Sequence, residues 1–166
     1  MSGFHPNDPG ITSRVQGAAT VASPCAGSVD VGPATLHRFP RFDDTRGSVV
    51  VSQAPGHLPF VPVRMFQVFD VPAGELRGDH AHRRCHQLIM VLSGAVSVVV
   101  DDGRDRYQVL LDAPELGLHL PPMTWAIQTE FEPATRMLVL ASEPYDRAEY
   151  IEDYGEFCAL VTGAGS

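Results

Sequence analysis

An all-β barrel or jelly roll is the fold this sequence predicts, and three observations predict it. Short runs rich in Val, Leu, Ile and aromatic residues follow one another along the chain, recurring roughly every 10 to 12 residues. Turn residues punctuate them, most clearly Asp102-Gly103 inside VVVDDGRDRYQVLL, a strong hairpin signal. Only one stretch, EPYDRAEYIEDYGEF, reads as helical, and briefly. Many short, evenly spaced strands protect their edges by closing into a barrel or packing as two sheets.

The elements are read in chain order. Residues 1–32 are rich in Gly, Ala, Ser, Pro and Thr with no apolar periodicity, and read as a flexible tail. Residues 33–166 read as a single domain without internal repeats. Order begins near ATLHRFPRFDDTRGSVVVSQ. The strand runs that follow are SVVVSQA, VRMFQVFDV, HQLIMVLSG, AVSVVVDDG, RYQVLLD, GLHLPP, WAIQTEF and TRMLVLAS, each bounded by Gly, Pro, Asp or Ser.

Composition narrows the function classes. The 166 residues, 44% of them hydrophobic, are enough for one sizeable core. A formal charge of −8 argues against a nucleic-acid footprint. No apolar run approaches the ~20 residues that span a membrane. All 12 basic residues are arginine, which excludes Schiff-base chemistry by a lysine. Cys25, Cys85 and Cys158 are odd in number and scattered, so they form neither a disulfide framework nor a CxxC pair. With no basic and then apolar leader at the start, a soluble cytoplasmic protein is expected.

The chemistry concentrates in GELRGDHAHRRCHQLIMVLSG, residues 74–94. In an extended segment alternate side chains share a face, so His80 and His82 point together while Ala81 points away. The spacing from Gly74 through His80, His82 and Gln87 to Gly94 resembles the first signature motif of the cupin superfamily, a small β-barrel fold. One position departs from it: Gln87 stands where the usual ligand is glutamate. A second motif with a distant histidine is expected around GLHLPPMTWAIQ, yet Met123 to Ile127 contain none and His119 lies earlier. Two histidines and an amide are a poor set for a transition metal, which takes three or four good ligands. The expected site is therefore a pair of bare histidines with no metal and no cofactor. A polar rim on a binding pocket is the bland alternative.

The stretch RGDHAHRRCHQLIMVLSGAVSVVVDDG further resembles the sugar 3,4-ketoisomerases that act on dTDP-4-keto-6-deoxyglucose. DDTRGSVVV, LGLHLPPMTW and LVLASEPYDRAEYIEDYGEF resemble the same family, so the likeness runs roughly from Pro40 to Phe157. It implies a cupin jelly roll, usually a homodimer with exchanged N-terminal strands, that needs no metal and binds a dTDP-sugar. His80 and His82 match the catalytic positions, with His80 expected as base and His82 as its partner. An imidazole titrates near pH ~6.5, which suits removal and return of a proton α to a ketone. Arg46 and Arg64 match arginines of the family pattern and, with Arg77, are candidates for clamping a diphosphate. Gln87 and Trp125 complete the candidate pocket.

One departure matters most. The family carries a tyrosine, resembling a catalytic partner of the histidines, where this sequence has Phe66 in RMFQVFD. Gln67, His119 or a water would then have to replace the phenol. Three functions stay open: the ketoisomerase, the same histidine base acting on another keto substrate as an epimerase, cyclase or isomerase, and a cupin that only binds a sugar nucleotide.

Overall fold

Alternation along the strands sorts the chain into two facing sheets. The computed structural model describes residues 11–16 and 27–163. One six-stranded sheet contains, in spatial order, β1 (Ile11–Gln16), β10 (Arg106–Leu111), β9 (Val96–Asp101), β12 (Trp125–Thr129), β7 (Arg77–His82) and β14 (Tyr150–Ile151). The other contains β2 (Gly27–Val31), β3 (Ala34–Arg38), β11 (Leu116–Leu120), β8 (Gln87–Ser93), β13 (Arg136–Ala141) and β6 (Arg64–Phe69). A separate hairpin joins β4 (Arg41–Asp44) to β5 (Gly47–Val50).

The core lies between the sheets. Val98 and Val100 of β9, Val109 and Leu111 of β10 and Ala126 of β12 meet Leu36, Ile89, Val91, Leu118, Met137 and Val139 from the facing sheet. The β9 run VSVVVD is buried on both faces, because Val99 turns outward beneath the C-terminal helix α1 (Tyr154–Thr162). There Phe157 is fully buried against Ala81, Trp125, Ile127 and Ile151. On the opposite flank Phe39, Leu88 and Met90 sit beneath Leu58 and Phe60 of the 51–63 segment. The jelly-roll expectation therefore holds, with helix and loop covering the outer faces that bare sheets would expose.

Two elements depart from the sequence reading. Within the stretch read as a tail, Ile11–Gln16 and Gly27–Val31 are strands, the second pairing with β3 across Gly32-Pro33. GSVDV does alternate, burying Val31, but five residues beside a Gly- and Ser-rich segment are too short to show periodicity. Residues 1–10 and 17–26 lie outside the described residues. The helix starts later than EPYDRAEYIEDYGEF suggests: Arg147–Glu149 form a 3-10 turn and Tyr150–Ile151 a strand against β7. Asp153 then caps α1 by accepting from the Glu156 N–H at 2.7 Å. Among the described residues, no helix is long and apolar enough to cross a membrane.

A candidate active site between the sheets

The motif strand is re-aimed by a bulge. β7 pairs with β12 so that His80 faces Ala126 and Gly78 faces Ile127, leaving Asp79 as the extra residue. Gly78 and Asp79 both take positive φ, 77° and 62°. A Cβ at Gly78 would stand 2.7 Å from the Ala126 carbonyl oxygen, so the motif's glycine is required on space as well as conformation. Trp125 Nε1–H donates to Asp79 Oδ1 at 3.2 Å and pins the bulge from outside. Beyond it His80 and His82 point into the barrel while Ala81 is buried behind, as alternation predicts.

The two imidazoles meet through their Nε2 atoms, 3.2 Å apart. His80 Nδ1–H donates to the Gly78 carbonyl at 3.1 Å, which leaves the His80 Nε2 lone pair for the pocket. The Gln87 amide nitrogen lies 2.9 Å from His82 Nε2 and donates to it. The amide takes the His82 lone pair, so the His80 lone pair is the one left for the pocket. The ring planes are 84° apart with centroids at 4.9 Å, too close for an end-on N–H···N bond of that length. Burial pushes the His80 pKa below its ordinary value, against the Gly78 hydrogen bond and the charges of Glu152 and Asp79. Burial, then His80 and Arg64, push His82 down to about 4. Both rings are neutral at neutral pH, the state a base needs.

Tyr150, which the sequence reading did not single out, completes the cluster. It stands directly across from His82 in the β14–β7 pair, its ring 4.4 Å from that of His82 and 4.9 Å from that of His80. Buried Glu149 fixes this placement by accepting from the Arg84 N–H at 2.9 Å and Arg84 Nε–H at 2.8 Å. Thr124 is a second unread member: it lines the same cavity with its Oγ1 buried and unpartnered. Neither had a motif to mark it, since Tyr150 comes from a two-residue strand. The cavity is about 200 Å³, below the ~300–1,000 Å³ of pockets that hold a drug-sized ligand whole. It suits one ring, with the rest of a larger molecule at its mouth.

The other sequence candidates divide. Arg77 and Gln87 line the cavity. Arg64 lies over the Phe66 ring at 5.4 Å, with its Nε buried and unpartnered. Four of the candidates lie away from the cavity. Trp125 faces the outer cluster against Tyr154 and Phe157, because its neighbour Ala126 takes the inward position on β12. Gln67 is exposed on the outer face of β6, between the inward Phe66 and Val68. His119 faces outward from β11, where its Nε2 meets His86 Nδ1 at 2.9 Å. Arg46 sits at the tip of the β4–β5 hairpin, 88% exposed and paired with Asp44. Neither Gln67 nor His119 can therefore stand in for the missing phenol. Among the described residues, no three His, Cys, Asp or Glu side chains are grouped to hold a metal ion.

Known proteins share this architecture. The family model for FdtA, described as WxcM-like, C-terminal, matches residues 33–162. A TDP-4-oxo-6-deoxy-alpha-D-glucose-3,4-oxoisomerase of Aneurinibacillus thermoaerophilus is 36% identical over 119 residues, 72% of this chain and 86% of its own. The crystal structure of a 3,4-ketoisomerase from Helicobacter canadensis is similar with a TM-score of 0.75 and 31% identity, covering 78% of this chain and 97% of that one. A variant of the 3,4-ketoisomerase QdtA from Thermoanaerobacterium thermosaccharolyticum, in complex with TDP-4-keto-6-deoxyglucose, gives 0.78 and 25% identity over 81% of this chain and 97% of its own. With a paired-histidine cavity at its centre and a family match across most of its length, this chain belongs to the WxcM-like FdtA family.

Proposed function

We propose that this chain is an isomerase that moves a ketone between C4 and C3 of a TDP-4-keto-6-deoxy sugar, with His80 as the base. The observation that carries the reading is the convergence of two neutral imidazole nitrogens, 3.2 Å apart, on a cavity in a chain of this family. His80 Nε2 takes the C3 hydrogen, and its Nδ1–H, already on the Gly78 carbonyl, steadies the imidazolium that forms. His82, oriented by Gln87, holds the His80 ring in place across the gap. The imidazolium exchanges its proton with solvent and returns one at C4. The reaction only relocates protons and one double bond, so it calls for no metal and no cofactor. Arg77 at the cavity and Arg64, whose Nε lacks a partner, are the cations we assign to the diphosphate.

A homodimer fits the surface. Val61, Val63, Met65 and Phe69 lie exposed along edge strand β6 and the segment before it, an apolar strip that a second copy would cover. Arg46, on its exposed hairpin, would then serve a partner's pocket rather than its own. The free thiols of Cys85 and Cys158 suit the reducing cytoplasm.

The test is incubation with TDP-4-keto-6-deoxyglucose in deuterated water, followed by proton NMR. The 3-keto isomer should accumulate with deuterium at the exchanging ring carbon. A sugar recovered unchanged and undeuterated, from protein that binds TDP, would leave either another keto substrate or a binding module.

A further inference from the structure

Removing a hydrogen from C3 is half of the reaction proposed above. As the electron pair moves into the C3–C4 bond, the C4 carbonyl oxygen needs a proton. When the enediol collapses the other way, the C3 hydroxyl must give one up. His80 is occupied with the carbon-bound proton. His82 has no free nitrogen for the sugar oxygens, because its Nε2 is held by Gln87 and faces His80, while its Nδ1 is buried without a partner.

The lining offers three other proton-bearing groups: Cys85, Thr124 and Tyr150. The Cys85 thiol is buried and donates to the His86 carbonyl at 3.4 Å. The Thr124 hydroxyl can hydrogen-bond a sugar oxygen, but an aliphatic alcohol does not ionise under these conditions. A phenol can both donate and persist as an anion. Tyr150 is half-buried, touches both imidazoles, and among the described residues its hydroxyl makes no hydrogen bond. Phe66 stands on the wall of the same cavity. The phenol missing from that position is thus available from β14.

Resting on the ketoisomerase reading, we propose that Tyr150 is the catalytic acid and base for the sugar oxygens. In the first half-reaction the C3–H bond breaks, its proton goes to His80, and its electron pair forms the C3–C4 double bond. The carbonyl π pair takes the Tyr150 O–H proton, giving an enediol, a phenolate and an imidazolium. In the second half the C3 hydroxyl proton goes to the phenolate and the C3 carbonyl forms. The double-bond pair then takes the His80 proton at C4. Both residues end as they began.

The experiment compares wild type, Tyr150→Phe, Tyr145→Phe and the double variant Tyr150→Phe/Phe66→Tyr with TDP-4-keto-6-deoxyglucose. Y150F should lose about 10²-fold in kcat with KM within threefold, and its TDP-induced thermal shift should match wild type. Tyr145, 66% exposed and 5.7 Å from the Tyr150 ring, is the control, and Y145F should stay within twofold. Moving the phenol to residue 66 should recover at least tenfold of the lost kcat. Y150F with wild-type kcat, or with its entire loss in KM, overturns the role of Tyr150 while the ketoisomerase stands. A wild-type enzyme that leaves the sugar unchanged overturns both.

Discussion

Two pairs of histidines touch in this molecule, and they do opposite things with the same lone pairs. His80 and His82 lie on the inner face of their sheet, rings at 84° and centroids at 4.9 Å, with Nε2 atoms 3.2 Å apart. His86 and His119 lie on the outer face of the other sheet, rings within 10° of coplanar and centroids at 5.2 Å, with Nδ1 and Nε2 at 2.9 Å. In the outer pair the nitrogens meet end-on, so one N–H is consumed by the other ring's lone pair, and that contact leaves neither of the two meeting nitrogens for a ligand. Phe60 closes over that pair, 5.9 and 6.0 Å from the two rings. In the inner pair the Gln87 amide takes the His82 lone pair and the Gly78 carbonyl takes the His80 Nδ1–H, which leaves the His80 Nε2 lone pair open to the pocket. Where the lone pair points, rather than how many imidazoles gather, separates a base from packing.

Removing one ring from each pair gives the largest expected difference. His80→Asn should lower kcat by about 10²–10⁴-fold, because the amide keeps the polarity and loses the basic nitrogen. His119→Asn should leave kcat within a few-fold, since its ring does not line the cavity. Steady-state rates on the keto sugar decide it. Equal losses in the two variants would erase the distinction between the pairs.

That His80 and His82 share one face was legible in the sequence, and the reason is geometric. His80-Ala81-His82 sits in one strand, and period-two alternation alone puts both rings on one face. Which face a distant histidine takes depends on the register of its strand, and a slip of one residue inverts the answer. His119 lies between Leu118 and Leu120, both buried in the inner core, so it had to face out. Reading GLHLPP as a strand with leucines inward would have excluded it from the pocket. Gln67 could have been excluded the same way, from Phe66 and Val68 beside it. Tyr150 had no such cue: its partner His82 is 68 positions away in sequence, and the bonds of Glu149 to Arg83 and Arg84, along with the β14–β7 pairing, bring them together. The strands and the barrel were visible as local patterns, whereas the third member of the site depends on a long-range contact.

A smaller effect is expected from Gln87→Glu, which tests why an amide sits in the inner pair. A carboxylate next to an imidazole raises its pKa by ~1–3 units. Applied to His82, at about 4 in the native chain, the change would bring its titration toward the working pH. A cation beside His80 makes that base weaker. The acid limb of the kcat profile should move up by about one unit or more, costing up to roughly tenfold on the acid side of the limb and little above pH 8. A pH–rate profile with an unmoved acid limb would mean that Gln87 serves only to orient the ring.

The smallest effect separates the outer pair from catalysis by way of stability. Burial, then the charges of His86 and His37, hold His119 down at about 4, and burial also lowers His37 against the pull of Asp30. In the unfolded chain these imidazoles titrate near ~6.5. Between pH 6.5 and about 4 the unfolded state therefore binds more protons than the folded one, and stability falls as the pH falls through that window. His119→Phe removes one such group from the outer face while keeping an aromatic ring against Phe60. The variant should lose less stability than wild type between pH 7 and pH 5. His119 is only partly buried and solvent screens it, so the difference should be on the order of 1 kcal/mol, or about 2–4 °C in Tm for a chain of this size. Thermal denaturation at the two pH values measures it. Parallel losses in the two proteins would place the acid sensitivity in the inner pair instead, and His80→Asn would then be the variant that flattens the curve.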